Sequence, residues 1–465
     1  MIKRIVIILI LIALFPLVVF LSSGKLPSFS KPPFFVSSQK DQPKDTEIVS
    51  GPISIHHWKT KNGTPVYFIP TEKLPMVDIK VTFDAGSARD GKKFGLSTLH
   101  STMLEEGTEK HTASQIARRF EDVGAVFDTD TQKDRKSIKL RSITEPETLL
   151  PVVDMFTEIL AQPAFPETAL EQLKNRTLVA LESDLQYPDV IALVNFYKAV
   201  YGDHPYGHLV SGTIAGINSI TRQDLIDFHK QFMVVNNAVI TIVGGLHRDY
   251  AREISEQIAN ALPTGKAATP LPDVAPLKEA AEIYLPMNSQ QTHVLLGAPC
   301  CTYNDPDFFP ILVGNYILGE GPLVARLFKE LRDKRGLVYT VGSRFNRLKK
   351  PGVFVITLQT QKNQAQDAIK ILKDTLSQFI TEGPTEEEVT AAKKGIIGGF
   401  PLSIGSNARV AEVISDMSFY DMPMDFLNTF QHNVEKVTRA DIQSAFRRRV
   451  DPNTLVLVVV GEKKP

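Results

Sequence analysis

The sequence has 465 residues, with 52 basic and 52 acidic side chains and a formal net charge of +0. With 43% hydrophobic and 22% charged residues it has a globular composition, which excludes a disordered or fibrous chain. The balanced charge argues against a broad nucleic-acid-binding surface, because such a surface needs a basic excess. Cys300 and Cys301 are adjacent and are expected not to bridge, so we expect neither a disulfide framework nor a thiolate zinc site.

The first 24 residues have the pattern of an export segment. Lys3 and Arg4 precede an apolar run over residues 5–21, and the small residues 22–24 follow it. This order is typical of a secretory signal peptide. The apolar run is also near the lower length limit for crossing a bilayer, so a retained membrane anchor is the alternative. Either interpretation predicts a periplasmic protein, soluble or tethered to the inner membrane.

An internal repeat indicates how the rest of the chain is divided. Thr221 and Thr438 lie 217 positions apart, and each begins a T-R-x-D sequence followed by a helical pattern and an apolar strand. Both threonines are expected to be helix N-caps. Matched units at a fixed offset predict a duplicated domain.

The predicted boundaries follow from this repeat and from composition. We predict an N-terminal domain over residues 51–262 and a C-terminal domain over residues 277–465. The proline-rich residues 263–276 connect them. Residues 25–50 are rich in Pro, Ser, Lys and Asp, which indicates a flexible linker after the export segment.

The order of strands and helices predicts the fold class. Strand-like segments occur in neighbouring pairs, which favours an α+β fold with a mixed or antiparallel sheet over a doubly wound parallel sheet. We therefore predict two homologous α/β-sandwich domains. The predicted strands are residues 66–69, 77–83, 126–130, 137–142, 238–243, 292–297, 353–359 and 454–460, and the predicted helices include residues 94–105, 113–123, 309–318 and 324–334.

Residues 94–108 carry the first recognisable motif. Their sequence, FGLSTLHSTMLEEGT, resembles the active-site helix of the pitrilysin/insulinase family of inverted-motif zinc peptidases, which includes the mitochondrial processing peptidases. The family pattern is G-L-x-H-x-x-E-H-M-L-x-x-G-T, and the residues flanking its metal-binding positions match. The three motif positions themselves do not match, because Thr98, Ser101 and Thr102 occupy them.

Helix geometry explains why these positions matter. Residues at i, i+3 and i+4 share one helix face, so two histidines can hold Zn²⁺ while the glutamate between them activates water. Neutral hydroxyl groups are poor zinc ligands, and a serine cannot act as the general base that activates water near neutral pH. The resemblance places the family's third ligand, a glutamate on a later helix, at Ala180. We therefore expect no metal and no catalytic residue on this chain.

A second family motif is intact. The segment FKELRDKRGLVYTV at residues 328–341 resembles the C-terminal-domain segment in which an arginine and a tyrosine, seven residues apart, bind the substrate backbone near the scissile bond. Arg332 and Tyr339 have that spacing. Arginine offers forked donors for carbonyl oxygens, and a phenol can donate to a developing oxyanion. The resemblance thus implies that Arg332 and Tyr339 bind substrate.

Smaller features extend the resemblance over nearly all of residues 50–463. Residues 318–322 (LGEGP) resemble the family's glycine-rich loop. Residues 204–207 (HPYG) match a turn that the family often carries, and we assign them no catalytic role. His100 lies one position out of register with the metal motif, so we interpret it as a packing or surface residue.

The resemblance implies a function within a two-chain enzyme. Shorter members of the family pair as dimers, and some pair a zinc-bearing chain with a zinc-less chain that contributes the Arg/Tyr site. We therefore predict a non-catalytic, substrate-binding subunit of an exported heterodimeric zinc metallopeptidase. The expected partner is a homologous subunit that carries the zinc. The expected substrate is an extended peptide or protein, bound by adding a strand to a sheet edge.

Two other classes of function stay open from the sequence. The chain could be a scaffold subunit, like the core proteins of a respiratory complex that share this fold, and the Arg/Tyr pair would then be vestigial. It could also be a peptide-binding or chaperone-like periplasmic homodimer without a role in proteolysis. An active protease with a displaced metal site is disfavoured, because residues 94–105 offer no His or Glu pair at helical spacing.

Overall fold

The computed structural model describes residues 47–49, 51, 53–71, 74–322 and 324–463. The predicted export segment and nearly all of the predicted linker over residues 25–50 lie outside the described residues, so the localisation stays a prediction. Among the described residues, no helix combines the length and the apolar character that a membrane crossing requires.

Residues of the first half build a seven-stranded mixed sheet. Its strands are β1 (Glu47–Val49), β2 (Ile55–Lys59), β3 (Pro65–Pro70), β4 (Met76–Phe83), β5 (Val126–Thr131), β6 (Lys136–Ile143) and β7 (Ala238–Gly244). They are ordered β1-β2-β3-β7-β4-β6-β5. β3 and β7 run parallel, and the other neighbouring strands run antiparallel. β5 is therefore the last strand at one edge.

The helices of the first half pack mainly on one face of this sheet. They are α1 (Leu96–Met103), α2 (Ala113–Glu121), α3 (Pro146–Ala161), α4 (Glu167–Asp184), α5 (Pro188–Tyr201), α6 (Ile214–Ser219), α7 (Arg222–Phe232) and α8 (Arg248–Ala261). Alternate residues of β4, such as Ile79 and Val81, are buried in one core with residues of α1, α3, α7 and α8. α5 is the exception and packs elsewhere.

The second half repeats this plan with a five-stranded mixed sheet. Its strands are β8 (Ala281–Leu285), β9 (Gln291–Pro299), β10 (Val338–Asn346), β11 (Val353–Gln361) and β12 (Val456–Val460). They are ordered β10-β11-β9-β12-β8, with β12 and β8 parallel and the remaining neighbours antiparallel. β10 is thus an edge strand, like β5 in the first half.

Seven α-helical segments belong to the described part of the second half. They are α9 (Phe308–Asn315), α10 (Arg326–Phe328), α11 (Ala365–Glu382), α12 (Glu386–Ser403), α13 (Asn407–Phe419), α14 (Phe426–Lys436) and α15 (Arg439–Arg449). Two π-helical turns, Tyr316–Glu320 and Lys329–Asp333, extend α9 and α10. α9, α11 and α15 share one core with the sheet.

The two halves exchange a helix. α5, from the first half, packs on β9 and β12 of the second sheet, and α13, from the second half, packs on β4 and β7 of the first sheet. Each exchanged helix has its own apolar cluster: Phe196 and Val458 are buried in one, and Ile414 and Val243 are buried in the other. Both sheets are therefore covered on both faces, and the halves are interlocked.

The structure confirms the predicted fold class and the duplication. The two T-R-x-D sequences begin α7 and α15, and both helices have a capping box in which the threonine and the aspartate three residues later bond each other's backbone amides. β7 and β12 follow them, as predicted. The domain boundaries at 51–262, 263–276 and 277–465 stay predictions.

The expectation that the two cysteines do not bridge is wrong. Cys300 and Cys301, which follow β9, are joined by a disulfide between adjacent residues. It closes no long loop, so it does not form the framework of a disulfide-stabilised fold.

Candidate functional site

The first candidate site lies on α1, whose start is fixed by local geometry. Gly95 precedes the helix with φ +107°, a left-handed conformation that favours glycine. The Asp90 carboxylate accepts hydrogen bonds from the backbone amides of Gly95 and Ser97, both at 2.7 Å. Burial raises the pKa of Asp90 to about 7, although these two bonds act to lower it. This cap sets the rotation of α1 and hence of the motif positions.

The three zinc-motif positions of α1 carry hydroxyls that already bond within the chain. Thr98 Oγ1 donates to the carbonyl oxygen of Val210 at 2.7 Å. The hydroxyl oxygens of Ser101 and Thr131 lie 2.6 Å apart. Thr102 Oγ1 donates to the carbonyl oxygen of Thr98 at 3.4 Å. All three hydroxyl groups therefore form hydrogen bonds within the first half.

The position of the third family ligand lies on α4, which packs against α1. Ala180 is exposed on that helix. A methyl group coordinates nothing, and neutral hydroxyls bind Zn²⁺ poorly. Within the described residues, no cluster of three His, Cys, Asp or Glu side chains could hold a metal ion. The donor set at the family's zinc position does not fit zinc.

The motif residues that this chain keeps are those that hold α1 in place. Met103 and Leu104 are fully buried in the core of the first half. Gly107, just after the helix, has φ +135°, which again favours glycine. A Cβ atom on Gly95 would lie 2.5 Å from Cδ1 of Ile217. These residues are needed for packing whether or not a metal is bound, which is why they match the family while the ligands do not.

His100 belongs to a buried polar network. Its Nε2 lies 3.1 Å from Nδ1 of His229, and its Nδ1 lies 2.7 Å from Nζ of Lys136. Burial, and then the charge of Lys136, holds the pKa of His100 well below its usual range and lowers that of His229 to about 3. The packing interpretation of His100 is confirmed. The network itself was not predictable, because its members are 36 and 129 positions away from His100.

The second candidate site brings Arg332 and Tyr339 together. Arg332 lies in the π-helical turn after α10, and Tyr339 lies at the start of β10. The Arg332 guanidinium carbon is 5.8 Å from the centre of the Tyr339 ring and 5.1 Å from that of Phe328. Tyr339 is 69% exposed. Among the described residues Arg332 has no carboxylate partner, so its guanidinium is available to a ligand.

A bulge in β10 determines where Tyr339 points. Val338 pairs with Thr360 and Thr340 pairs with Gln359, which leaves Tyr339 without a partner on β11. A bulge of this kind turns the extra residue out of the regular pattern. It also breaks the alternation of buried and exposed residues, which is why the sequence did not predict β10 as a strand.

The glycine-containing loop packs against the same strand. Gly319 lies in the π-helical turn after α9, and a Cβ atom there would lie 2.4 Å from Ser343 Oγ on β10. Ser343 Oγ in turn donates to Asn315 Oδ1 at 2.6 Å. The glycine is required because the turn approaches β10 so closely, and the contact holds the strand beside α9.

The HPYG turn contributes to the contact between the halves. The Tyr206 hydroxyl bonds to the Asp134 carboxylate. The same carboxylate accepts the backbone amide of Lys349 at 2.7 Å and the Tyr420 hydroxyl at 3.2 Å. Tyr206 therefore has a structural role, in line with the absence of a catalytic assignment.

Comparisons with known proteins agree with this geometry. Residues 67–214 match the family model for insulinase (peptidase family M16), and residues 219–396 match the model for the peptidase M16 inactive domain. The two matches together cover most of the chain, and the second match begins within the first half, just before α7.

Some related proteins are described as non-peptidases and others as zinc proteases. A Helicobacter pylori protein described as the non-peptidase homolog YmxG is 27% identical over 86% of this chain and 92% of its own length. The Bacillus subtilis protein described as the uncharacterized zinc protease YmxG is 24% identical over 76% of this chain and 85% of its own. Sequence similarity therefore extends across both halves.

A solved structure gives the same result. The crystal structure of a peptidase M16 inactive domain from Pseudomonas fluorescens has a TM-score of 0.85 and 33% identity, over 88% of this chain and 98% of that one. Nearly the whole described chain therefore has the same fold as that structure. The chain belongs to the insulinase family, peptidase family M16, and is a homologue of its inactive members.

Proposed function

We propose that this chain is a non-catalytic, substrate-binding subunit of an exported heterodimeric zinc metallopeptidase. The observation that carries the proposal is the exposed pair of Arg332 and Tyr339 on a chain whose zinc-motif positions hold internally bonded hydroxyls. The name of the Helicobacter pylori relative supports a non-catalytic role. The zinc and the residue that activates water would come from a homologous partner subunit.

Arg332 and Tyr339 offer the donors that an extended peptide needs. A guanidinium binds carbonyl oxygens through a rigid fork, and a phenol donates one hydrogen bond to an oxygen on which negative charge develops. Held against the partner's zinc site, the pair would orient the scissile peptide bond. Orientation of this kind can lower an activation barrier by roughly 7 kcal/mol or more in favourable cases. A chain without zinc can therefore be essential for cleavage.

The proposed compartment is the periplasm, with the chain soluble or tethered to the inner membrane. Its support is the sequence pattern of residues 1–24, in which a basic start precedes an apolar run. Extended peptides are substrates that such a compartment supplies when exported proteins are processed or degraded.

The test is reconstitution with a zinc-bearing M16 homologue that carries H-x-x-E-H. Neither chain alone should cleave an extended peptide, and the mixture should. Arg332→Ala combined with Tyr339→Phe should lower kcat/KM of the mixture by about tenfold or more, because donors near the reacting carbonyl are removed. Size-exclusion chromatography checks that the two chains still assemble.

Arg335→Ala is the matched control. Arg335 lies three residues after Arg332 and pairs with Glu330 at 2.6 Å, whereas Arg332 lies over the Tyr339 ring. Activity of the mixture should be kept in this variant. Unchanged activity in the Arg332/Tyr339 double variant, with assembly intact, would remove the substrate-binding assignment and leave a scaffold.

A further inference from the structure

The edge strand β10 borders a large groove in the second half. The groove has a volume of about 920 Å³ and follows β10 from Thr340 to Asn346. α5 lines it on one face of the sheet, and α9 lines it on the other. Because the groove touches both faces of this edge strand, it is open along the outer side of β10, where an added strand would pair with it.

β10 is able to accept such a strand. It is the last of the described strands in its sheet, so half of its backbone donors and acceptors face away from β11. Side chains of an added strand would alternate between the two faces. One set would meet the half-buried Leu193 and Tyr197 of α5, and the other would meet Phe308 and Leu312 of α9.

The charges in the groove are mainly positive. Arg344 projects from β10 on the same face as Val355, is exposed, and has no ion-pair partner among the described residues. The Arg347 guanidinium lies 3.9 Å and 4.4 Å from the ring centres of Phe308 and Tyr303, and it donates to the carbonyl oxygen of Tyr303.

The acidic residue of the groove does not cancel this charge. Glu320 accepts a hydrogen bond from Asn315 Nδ2 at 2.8 Å and lies on the α9 side, whereas Arg344 lies on the α5 side. Arg332 adds a third guanidinium without a carboxylate partner at the end of the strand where Tyr339 lies. A ligand running along β10 would therefore pass three arginine side chains.

We propose that this groove binds an extended peptide with an acidic side chain that pairs with Arg344, five residues along β10 from Tyr339. The inference rests on the proposed function, because Arg332 and Tyr339 define the end of the peptide near the scissile bond. At roughly 3.3 Å per residue, Arg344 lies about 16 Å beyond that point, which is five residues of an extended chain. Arg344 is thus a specificity-determining residue for acidic substrates.

The experiment measures binding of labelled peptides to the full chain by fluorescence anisotropy. Each peptide has the same length and the same apolar and threonine residues, with a single Asp moved one position at a time, and a second series carries Lys instead. The best Asp position should bind about tenfold more tightly than Lys at that position, which is the strength of one charge-assisted pair. Arg344→Glu should reverse the preference at that position only.

Two further variants keep the outcome decisive. Arg119→Glu makes the same charge change on the exposed face of α2 in the first half and should leave the preference unchanged. Arg344→Gln should abolish the preference without reversing it, and equal thermal unfolding temperatures check that both Arg344 variants are folded. A uniform affinity for every Asp and Lys position in the wild type overturns the inference.

The same peptides separate this inference from the proposed function. In the reconstituted enzyme, the Arg332/Tyr339 double variant should lower cleavage of all peptides, whereas Arg344→Glu should change only their ranking. An unchanged ranking with Arg344→Glu overturns the acidic specificity and leaves the proposed function in place. Charge-selective binding by the chain, with no cleavage by any mixture, upholds the groove and contradicts the proposed function.

Discussion

Single residues on α1 show what replaced the metal site of the family. The zinc-facing positions carry Thr98, Ser101 and Thr102, which bond to neighbouring segments of the first half. Behind them His100 bonds to Lys136 and His229. Burial also lowers the pKa of Lys136 well below its usual range. The side chains behind the motif positions therefore form a buried hydrogen-bonded network.

This network predicts a pH dependence of stability. The pKa of His229 is about 3 in the folded chain and near 6.5 when unfolded, so below pH 6.5 only the unfolded state binds the proton. Stability is therefore lost as the pH falls from 6.5 towards 3. His229→Gln removes this proton and should reduce the loss of unfolding free energy between pH 7 and pH 4 by roughly 3 kcal/mol.

Urea unfolding at both pH values measures the effect. The comparison is made between variants, because Asp90, whose pKa is raised to about 7, gains stability in the same range on acidification. His432→Gln, at an exposed residue of α14, is the control and should keep the wild-type difference. An equal loss in the wild type and in His229→Gln would show that His229 is not held neutral.

Helix starts that depend on a few neighbouring residues could be predicted from the sequence. Elements that depend on distant or irregular contacts could not. The capping boxes at Thr221 and Thr438 are encoded within four residues, so the starts of α7 and α15 could be predicted. β10 could not, because Tyr339 forms a bulge that breaks the alternation. Arg344 was missed with its strand.

The exchanged helix α13 supplies the second prediction at this scale. Glu412 on α13 accepts hydrogen bonds from Lys80 at 2.5 Å and from Arg135 at 2.7 Å, and both cations are nearly fully buried in the first half. These partners hold the pKa of Glu412 at about 2, although burial acts to raise it. Glu412→Gln should destabilise the chain by about 2 to 4 kcal/mol, because it leaves buried cations undercompensated.

Asp374→Asn is the control for this substitution. Asp374 pairs with Lys370 at 3.7 Å on the exposed side of α11, where an ion pair contributes about 0.5 kcal/mol or less. Urea unfolding of both variants at pH 7 gives the comparison. Equal stabilities for Glu412→Gln and the wild type would mean that the ionic contact does not hold α13 on the first sheet.

At the scale of the whole molecule, the two halves keep different features of the family. The first half keeps the frame of the family's active-site helix without its ligands, and the second half keeps the Arg332/Tyr339 pair beside an open sheet edge. Family resemblance predicted the helix without ligands and the Arg332/Tyr339 spacing from short motifs, but it did not predict the position of the pair beside the edge strand β10. The interlocking of the halves through α5 and α13 could not be predicted, because it depends on contacts between residues far apart in the chain.

The zinc content of the purified chain tests the central claim most directly. After expression with zinc and desalting, elemental analysis should find only substoichiometric zinc, and a chelator should leave the thermal unfolding temperature unchanged. This result follows from hydroxyl and methyl groups at positions 98, 101, 102 and 180. One tightly bound zinc ion per chain, with a fall in unfolding temperature on chelation, would contradict the account of a zinc-less, substrate-binding subunit.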